Sequence, residues 1–552
     1  MRGKQVLMES LIANGVSYIF GNPGTTESPF IDSLAGYPQI RYIVALHEGV
    51  ALGAASYYAL ASGKTGVVNF HVAPGLGNAL GMLYNAMKAN SPLLVTAGQQ
   101  DTRLRLREPL LGHDLVPMAA PVTKWSVQAE RGDELALVLH RAFKIANDPP
   151  AGPVFVALPI DVLEQETNAT PIPPGIVYRV GPPEPSSIRK AGALLLDRQR
   201  AAILAGDAIA RSDAGAEVAA LAESLGAPIW CGGVRLHNPV PSNHGNFRFG
   251  LPFDAESVRR ALDGCDAVIL AGGPSFEELW YSPGWAFPPG AVAIQIEDSP
   301  GFLAHKHGVD VGIVGHLKLC FQALNAAIAE GATPQFREAA ARRNEALRAV
   351  KEEETARQRA RAEKQWDREP ISLSRVMGEI EAALPANAVV VDESITASLD
   401  LEKTLTLGPG TYYGARGGGI GQGLPGALGV KVAHPDRPVV VISGDGSAMY
   451  SIQALWTAAH HDLAIVFIIL NNGEYRILKH NLDAYRKRFG VNSEGYLHMD
   501  LRPPDIGFVD LARGMGVQAE RVTKPGELGP ALSRAFSAQA PYLLDIQVGG
   551  KT

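Results

Sequence analysis

The chain has 552 residues, enough for about three domains of ordinary size. Lys and Arg number 50 against 56 Asp and Glu, a net charge of −6 with the two signs interleaved, so nucleic acid is not an expected partner. The three cysteines (Cys231, Cys265, Cys320) have neither CxxC nor zinc spacing and read as buried thiols of a reducing compartment. Residues after Met1 lead into an amphipathic helix, and no uncharged apolar run reaches about 18 residues, so the expected location is cytoplasmic, away from membranes.

In chain order, Val6, Leu7, Leu11 and Ile12 mark a helix face that Asn14-Gly15 stops, and Val16–Phe20 reads as a strand running into Gly21-Asn22-Pro23-Gly24. A strand at Ile43–Leu46, a helix from about Glu48 and a strand at Gly66–His71 follow. A helix after Pro74 and strands at Leu93–Ala97 and Pro153–Pro159 complete this part. The alternation predicts a parallel sheet with helices on both faces. Gln165 to Pro185 is polar and proline-rich, a linker. Strands at Ala201–Gly206, Pro228–Cys231, Ala267–Ala271, Ala291–Glu297 and Val309–Val314 form a second α/β part ending near Glu330. From Gln335 to Pro370 a run dense in Arg, Glu and Ala reads as a solvent-exposed connecting helix with charge pairs. The expected domains are residues 1–168, 186–332 and 371–552, with a charged helical linker over 333–370. No sequence repeat relates them.

The third part carries the most specific pattern. Val439-Val440-Val441-Ile442 reads as a buried strand ending at Gly444-Asp445-Gly446-Ser447, and Ile465–Leu470 as another ending at Asn471-Asn472, whose second asparagine follows Asp445 by 27 residues. Ser451–His461 is helical, so this is one strand–helix–strand unit. Both tips then lie at the carboxyl ends of neighbouring parallel strands, where open α/β sheets bind ligands. A carboxylate and an amide oxygen are hard ligands suited to Mg²⁺ or Ca²⁺, and glycines let backbone close on a diphosphate. Gly421-Gln422-Gly423-Leu424-Pro425-Gly426 fits GxGxxG, with Asp445 at about the distance of a ribose-binding acid. A dinucleotide site needs an apolar strand ending at the first glycine, and Thr411–Gly419 is no such strand. That reading also leaves Asn471-Asn472 unexplained.

The Asp445–Asn472 pattern resembles the metal–diphosphate motif of thiamine-diphosphate (ThDP) enzymes. Phe20-Gly21-Asn22-Pro23-Gly24-Thr25, Glu48 in Ala45-Leu46-His47-Glu48, and His71 in Asn69–Gly75 are similar to the pyrimidine-binding domain of the decarboxylase/lyase branch of that family, and within it to benzoylformate decarboxylases. The likeness continues in order through Thr96–Gln100, Lys124–Ser126, Ala454–Ala459 and Asn471–Gly473. It implies three doubly wound parallel-sheet α/β domains: pyrimidine-binding, central and diphosphate-binding. It further implies a homotetramer with active sites between paired subunits, and ThDP with Mg²⁺ (or Ca²⁺) as cofactors. The implied reaction is non-oxidative decarboxylation of an aromatic or bulky 2-oxo acid to an aldehyde, with carboligase activity. The alternative is a 2-hydroxy ketone lyase or synthase that forms or cleaves C–C bonds.

Carried onto this sequence, the resemblance makes Glu48 the acid on the aminopyrimidine. Gly418 accepts the 4′-amino group through its carbonyl, and Ile420 supports the bent cofactor. Asp445, Asn472 and the backbone oxygen of Glu474 are implied metal ligands, and Gly446, Ser447, Thr396 and Tyr475 face the diphosphate. His71 is the implied proton donor and acceptor, and Thr25 stands where the family has a carboxylate-binding serine. The substrate pocket is expected from Thr25, Leu110, Leu279, Ile395, Gly414 and Leu478. Departures accompany these matches. The family's second active-site histidine falls at Leu279, which cannot transfer a proton. Gly414 replaces a bulky aromatic, implying a roomier site, and Ile395 replaces a hydroxyl residue. His113 is a candidate to compensate, or else a surface or interface histidine. Arg103, Arg105 and Arg107 read as interface salt-bridge partners, and His460-His461 as a helix-end pair favoured by the dipole. Arg476, Lys479, His480 and Arg486-Lys487-Arg488 make a more basic segment than the resemblance implies.

Overall fold

The computed structural model describes residues 1–549. Three six-stranded sheets follow one another, and every strand pairing in them is parallel. The first holds β1 (Tyr18–Gly21), β2 (Arg41–Val44), β3 (Gly66–Phe70), β4 (Leu93–Gln99), β5 (Trp125–Gln128) and β6 (Pro153–Pro159) in the order β2-β1-β3-β4-β6-β5. The second holds β7 (Ala201–Ala205), β8 (Ile229–Cys231), β9 (Phe247–Gly250), β10 (Ala267–Ala271), β11 (Val292–Glu297) and β12 (Val311–Val314), ordered β12-β11-β10-β7-β8-β9. The third holds β13 (Val389–Glu393), β14 (Tyr412–Tyr413), β15 (Val439–Gly444), β16 (Ile465–Asn471), β17 (Gln518–Val522) and β18 (Tyr542–Gln547), ordered β14-β13-β15-β16-β18-β17. Central strands such as β4, β6 and β16 are buried along their whole length, which requires helices on both faces.

The first and third sheets share one strand order although no sequence repeat relates them. In each, the direction of winding reverses between the first and third strands of the sheet (β1/β3 and β13/β15), and such switch points open a crevice at the carboxyl ends. These two sheets also share a core. Helix α1 (Glu48–Ser62) lies against α4 (Gly423–Ala433), and a Cβ at Gly429 would overlap the carbonyl of Ala54. The Tyr57 hydroxyl donates to the Gly414 carbonyl at 2.6 Å across the same contact.

The linker helix α3 (Pro334–Lys364) is mostly exposed, as its charge pattern predicts, but one stripe grips the second sheet. Lys351 donates to the carbonyls of His244 (2.9 Å), Phe247 (3.3 Å) and Ser242, and Asn344 is buried against Asn246. The three cysteines are free thiols. Among the described residues no helix is long and apolar enough to cross a membrane.

Candidate active site

The switch point of the first sheet gathers Thr25, Glu27, Glu48 and His71. β1 ends at Gly21, and the chain turns through Gly24 into a short 3-10 segment, Thr25–Glu27. The Glu27 side chain is 1% exposed and accepts from the Gly24 N–H (3.0 Å), the Gly98 N–H (2.8 Å) and the Thr26 hydroxyl (3.0 Å). Its Oε2 also meets His71 Nδ1 at 2.9 Å. A buried carboxylate on Nδ1 fixes that nitrogen as the N–H donor and turns Nε2 outward, the arrangement of an oriented acid–base histidine. Gly24 is required here because a Cβ would overlap the imidazole. His71 caps helix α2 (Val72–Lys88), and Val72 lies at φ +40, a left-handed conformation that a β-branched residue adopts only under strain.

Glu48 opens α1. His47 caps that helix through Nδ1, accepting from the Gly49 N–H at 3.0 Å. The buried Glu48 carboxyl group is held at Oε2 by Asn78 Nδ2 (3.0 Å), so Oε1 remains available. Replacing Glu27 by Gln keeps its size and removes the charge that orients His71. We expect Glu27→Gln to lower kcat by about 10-fold or more, because general acid–base effects span roughly 10²–10⁴. A rate matching the parent protein would show that Glu27 only shapes the turn.

The switch point of the third sheet forms a cleft from the tips of three strands. Ser394–Ala397 follow β13, Gly444–Ser447 follow β15, and Asn472 follows β16. Asp445 accepts from the Gly446 N–H (2.8 Å) at Oδ1, and from Asn472 (3.1 Å) and Gly473 (2.6 Å) at Oδ2. Burial raises its pKa, and those three N–H groups oppose the rise. Asn472 Oδ1 accepts the Glu474 N–H at 2.9 Å. The ring of Tyr475 covers Gly446 so closely that a Cβ there would overlap it. Ile395 lines the cleft at φ +53, a second strained β-branched residue beside a strand tip.

Ile420 enters this cleft from a loop whose Gly417, Gly418 and Gly421 all have left-handed φ. The loop is clamped from two sides. Buried Glu393 accepts the N–H groups of Gly421 (2.7 Å), Gln422 (2.9 Å) and Gly423 (2.8 Å), while burial pushes its pKa up to about 7. Asn85, in the last turn of α2, donates to the Gly419 carbonyl (3.1 Å) and accepts its N–H (3.2 Å). Three of the GxGxxG amides are therefore committed to a protein carboxylate. The strand that leads into this loop, β14, is a two-residue edge strand ending at Tyr413, not the apolar strand that a dinucleotide site needs at its first glycine.

Nine residues predicted from the sequence meet in the one cleft: Ile395, Thr396, Ile420, Asp445, Gly446, Ser447, Asn472, Glu474 and Tyr475. Glu48, His71 and Thr25 form the separate cluster on the first sheet and do not line it. Gly418 lies in the clamped loop beside Ile420. Leu110 (85% exposed), Leu279 (62%), Leu478 and His113 stand on the surface of the single chain.

The expectation for Gly414 needs correction. It is buried behind the cleft, a Cβ would overlap the Arg235 carbonyl, and so its missing side chain serves backbone packing rather than a roomier pocket. Arg103 pairs within its own turn with Asp101. His461 is no dipole-favoured cation: its Nε2 accepts the Val44 N–H at 2.9 Å, and burial lowers its pKa. Glu27, Asn78, Asn85 and Glu393 escaped the sequence reading, and Arg476 was singled out there only as part of a basic segment. Only Glu27 had a local signal, two residues beyond Thr25.

Family models match the chain in three places: the thiamine pyrophosphate enzyme N-terminal TPP binding domain over residues 1–118, the central domain over 188–324 and the C-terminal TPP binding domain over 401–546. Benzoylformate decarboxylase of Pseudomonas aeruginosa is 34% identical, covering 98% of this chain and 97% of its own. The acetolactate synthase large subunit of Buchnera aphidicola is 26% identical over 99% of this chain and 95% of its own. Among solved structures, the thiamine diphosphate-dependent 4-hydroxybenzoylformate decarboxylase of Rhodococcus jostii RHA1 superposes with a TM-score of 0.85 at 29% identity, covering 100% of this chain and 99% of that one. Similarity over the whole length, across all three sheets and both switch points, places this chain in the thiamine pyrophosphate enzyme family.

Proposed function

We propose that the protein is a ThDP- and Mg²⁺-dependent 2-oxo acid decarboxylase with carboligase activity, acting on an aromatic or bulky 2-oxo acid. The observation that carries this reading is the pair of switch-point sites with complementary chemistry. One offers hard oxygen donors; the other offers a buried carboxyl group beside a carboxylate-oriented histidine. Among the described residues no three His, Cys, Asp or Glu side chains converge on a metal site. A divalent ion here would instead use Asp445, Asn472 Oδ1 and the Glu474 carbonyl, an oxygen set that suits Mg²⁺ or Ca²⁺. The buried Arg476 Nη2, which lacks an acceptor, supports an anion in the same cleft. Gly446, Ser447, Thr396 and Tyr475 would face a diphosphate there, and Gly418 with Ile420 its ring end.

When bound, ThDP supplies a carbon nucleophile and an electron sink for loss of CO₂. The chain orients and protonates. Glu48, held at Oε2 by Asn78, presents Oε1 as the proton-sharing atom for the aminopyrimidine. His71, with Nδ1 fixed by Glu27, moves a proton at Nε2. The Thr25 hydroxyl binds the substrate carboxylate, with its rotamer restricted by the added methyl group. Because the cleft of one chain lacks Glu48, His71 and Thr25, a complete site takes Glu48 of the partner subunit, in a homotetramer of paired chains.

A second reading, a 2-hydroxy ketone synthase or lyase, is favoured by Leu279. The two carboxylates beside it are engaged, Glu277 by Arg416 (2.7 Å) and Glu278 by the Ala255 N–H (3.1 Å). Slower product protonation leaves more time for a second carbonyl to react. Leu279→His is therefore expected to shift products toward free aldehyde, and an unchanged product ratio and rate would mean that residue 279 does not face the chemistry. The function itself is tested by supplying ThDP, Mg²⁺ and benzoylformate, pyruvate or longer 2-oxo acids, each with and without benzaldehyde. CO₂ and an aldehyde from the bulky or aromatic acids are expected. Absence of CO₂ from all of them would refute the decarboxylase reading.

A further inference from the structure

Arg476 is the first residue of α5 (Arg476–Phe489) and is 4% exposed. Its Nε donates to Glu474 Oε1 at 2.9 Å, and Nη1 donates to the Gly549 carbonyl at 2.7 Å. Nη2 is buried with no acceptor among the described residues. The residue forms part of the wall that also includes Thr396, Ser447 and Asn472. Among the described residues, no other side chain of that wall has a buried polar atom without a partner.

The surrounding charges do not explain this nitrogen. Glu474 already serves two cations, because Lys479 binds its Oε2 and also reaches Asp500 at 2.6 Å. A guanidinium cannot shed its proton, so burial leaves a permanent charge whose remaining donor needs an acceptor. Orphaned donors in folded proteins mark places for an unseen ion or ligand. Guanidinium geometry matches phosphate oxygens better than any other side chain does, because its planar fork presents fixed N–H directions.

We propose that Arg476 Nη2 is an anion contact of the cleft, a donor that would bind the cofactor's diphosphate. This rests on reading the cleft as a diphosphate site. A diphosphate there would be held both by a divalent ion at Asp445 and Asn472 and by a fixed guanidinium. Part of its binding would then be independent of metal, and the basic start of α5 would have a function.

Calorimetric titration of the full-length protein with inorganic pyrophosphate and with ThDP, in Mg²⁺ and in EDTA, tests the proposal. Arg476→Met keeps the apolar stem and removes the charge. Expected is a loss of roughly 10-fold or more in affinity for both ligands in Mg²⁺, the order of a charge-assisted hydrogen bond, and loss of the EDTA-resistant fraction. Arg476→Lys should recover part of it. The proposal falls if Arg476→Met binds pyrophosphate as the parent protein does. Should the parent protein bind no pyrophosphate in either medium, the diphosphate reading itself is wrong. Should Arg476→Met not fold, the lysine variant decides: affinity equal to the parent's contradicts a directional guanidinium contact.

Discussion

Glu48→Gln is expected to keep ThDP bound while lowering turnover by roughly 10²–10⁴, the range of a positioned acid–base group. The reason lies in how little else the substitution changes. Glu48 is buried at the first position of α1, its helix is capped independently by His47, and its one side-chain partner is the neutral donor Asn78. A glutamine can still accept from Asn78 but cannot share a proton with the aminopyrimidine. Hydrogen–deuterium exchange at C2 of the bound cofactor separates this effect from a binding defect. Parent-like exchange in the variant would remove Glu48 from the proton path.

Asp445→Ala is expected to be the most damaging change to cofactor retention. It deletes a hard oxygen donor from the proposed metal set, and it strips three backbone N–H groups of their acceptor. Each orphaned buried donor costs about 1–3 kcal/mol, with incomplete additivity, so a lower melting temperature should accompany lost Mg²⁺-dependent ThDP binding. Asp445→Asn separates the two effects in part, since its one amide oxygen can keep the two N–H bonds made to Oδ2 while the negative charge is gone. The asparagine variant should melt closer to the parent yet bind metal weakly. ThDP affinity in Mg²⁺ unchanged by Asp445→Ala would place the metal elsewhere.

What the sequence revealed, and what it hid, follows from the range of the interactions. β15 and β16 were legible because strands buried on both faces read as continuous apolar runs, and their polar tips interrupt those runs abruptly. The edge strands β5, β9, β14 and β17 have one neighbour each, are short or half-polar, and have no counterpart in the sequence reading. β13 and β18 also went unread, for buried acids (Asp392 and Glu393, Asp545) break their apolar runs. The same limit applies at the site. Asp445 and Asn472 announce themselves by spacing, whereas Glu393 and Asn85 act on the loop at Gly417–Gly423 from distant segments. Gly414 shows the opposite error: a missing side chain looks like open space in a sequence, but here the Arg235 backbone occupies it.

In the proposed shared site, the Asp445 cleft of one chain works with Glu48 of the partner subunit. Co-expression of Glu48→Gln and Asp445→Ala chains, each inactive alone, puts this to the test. In a two-fold pair, random assortment makes half the dimers mixed, and each mixed dimer holds one site with both residues intact, so about a quarter of parent activity should return. If every site were built within one chain, every chain would carry a lesion. Mixed dimers, verified by differential tags, that show no activity would contradict the shared site.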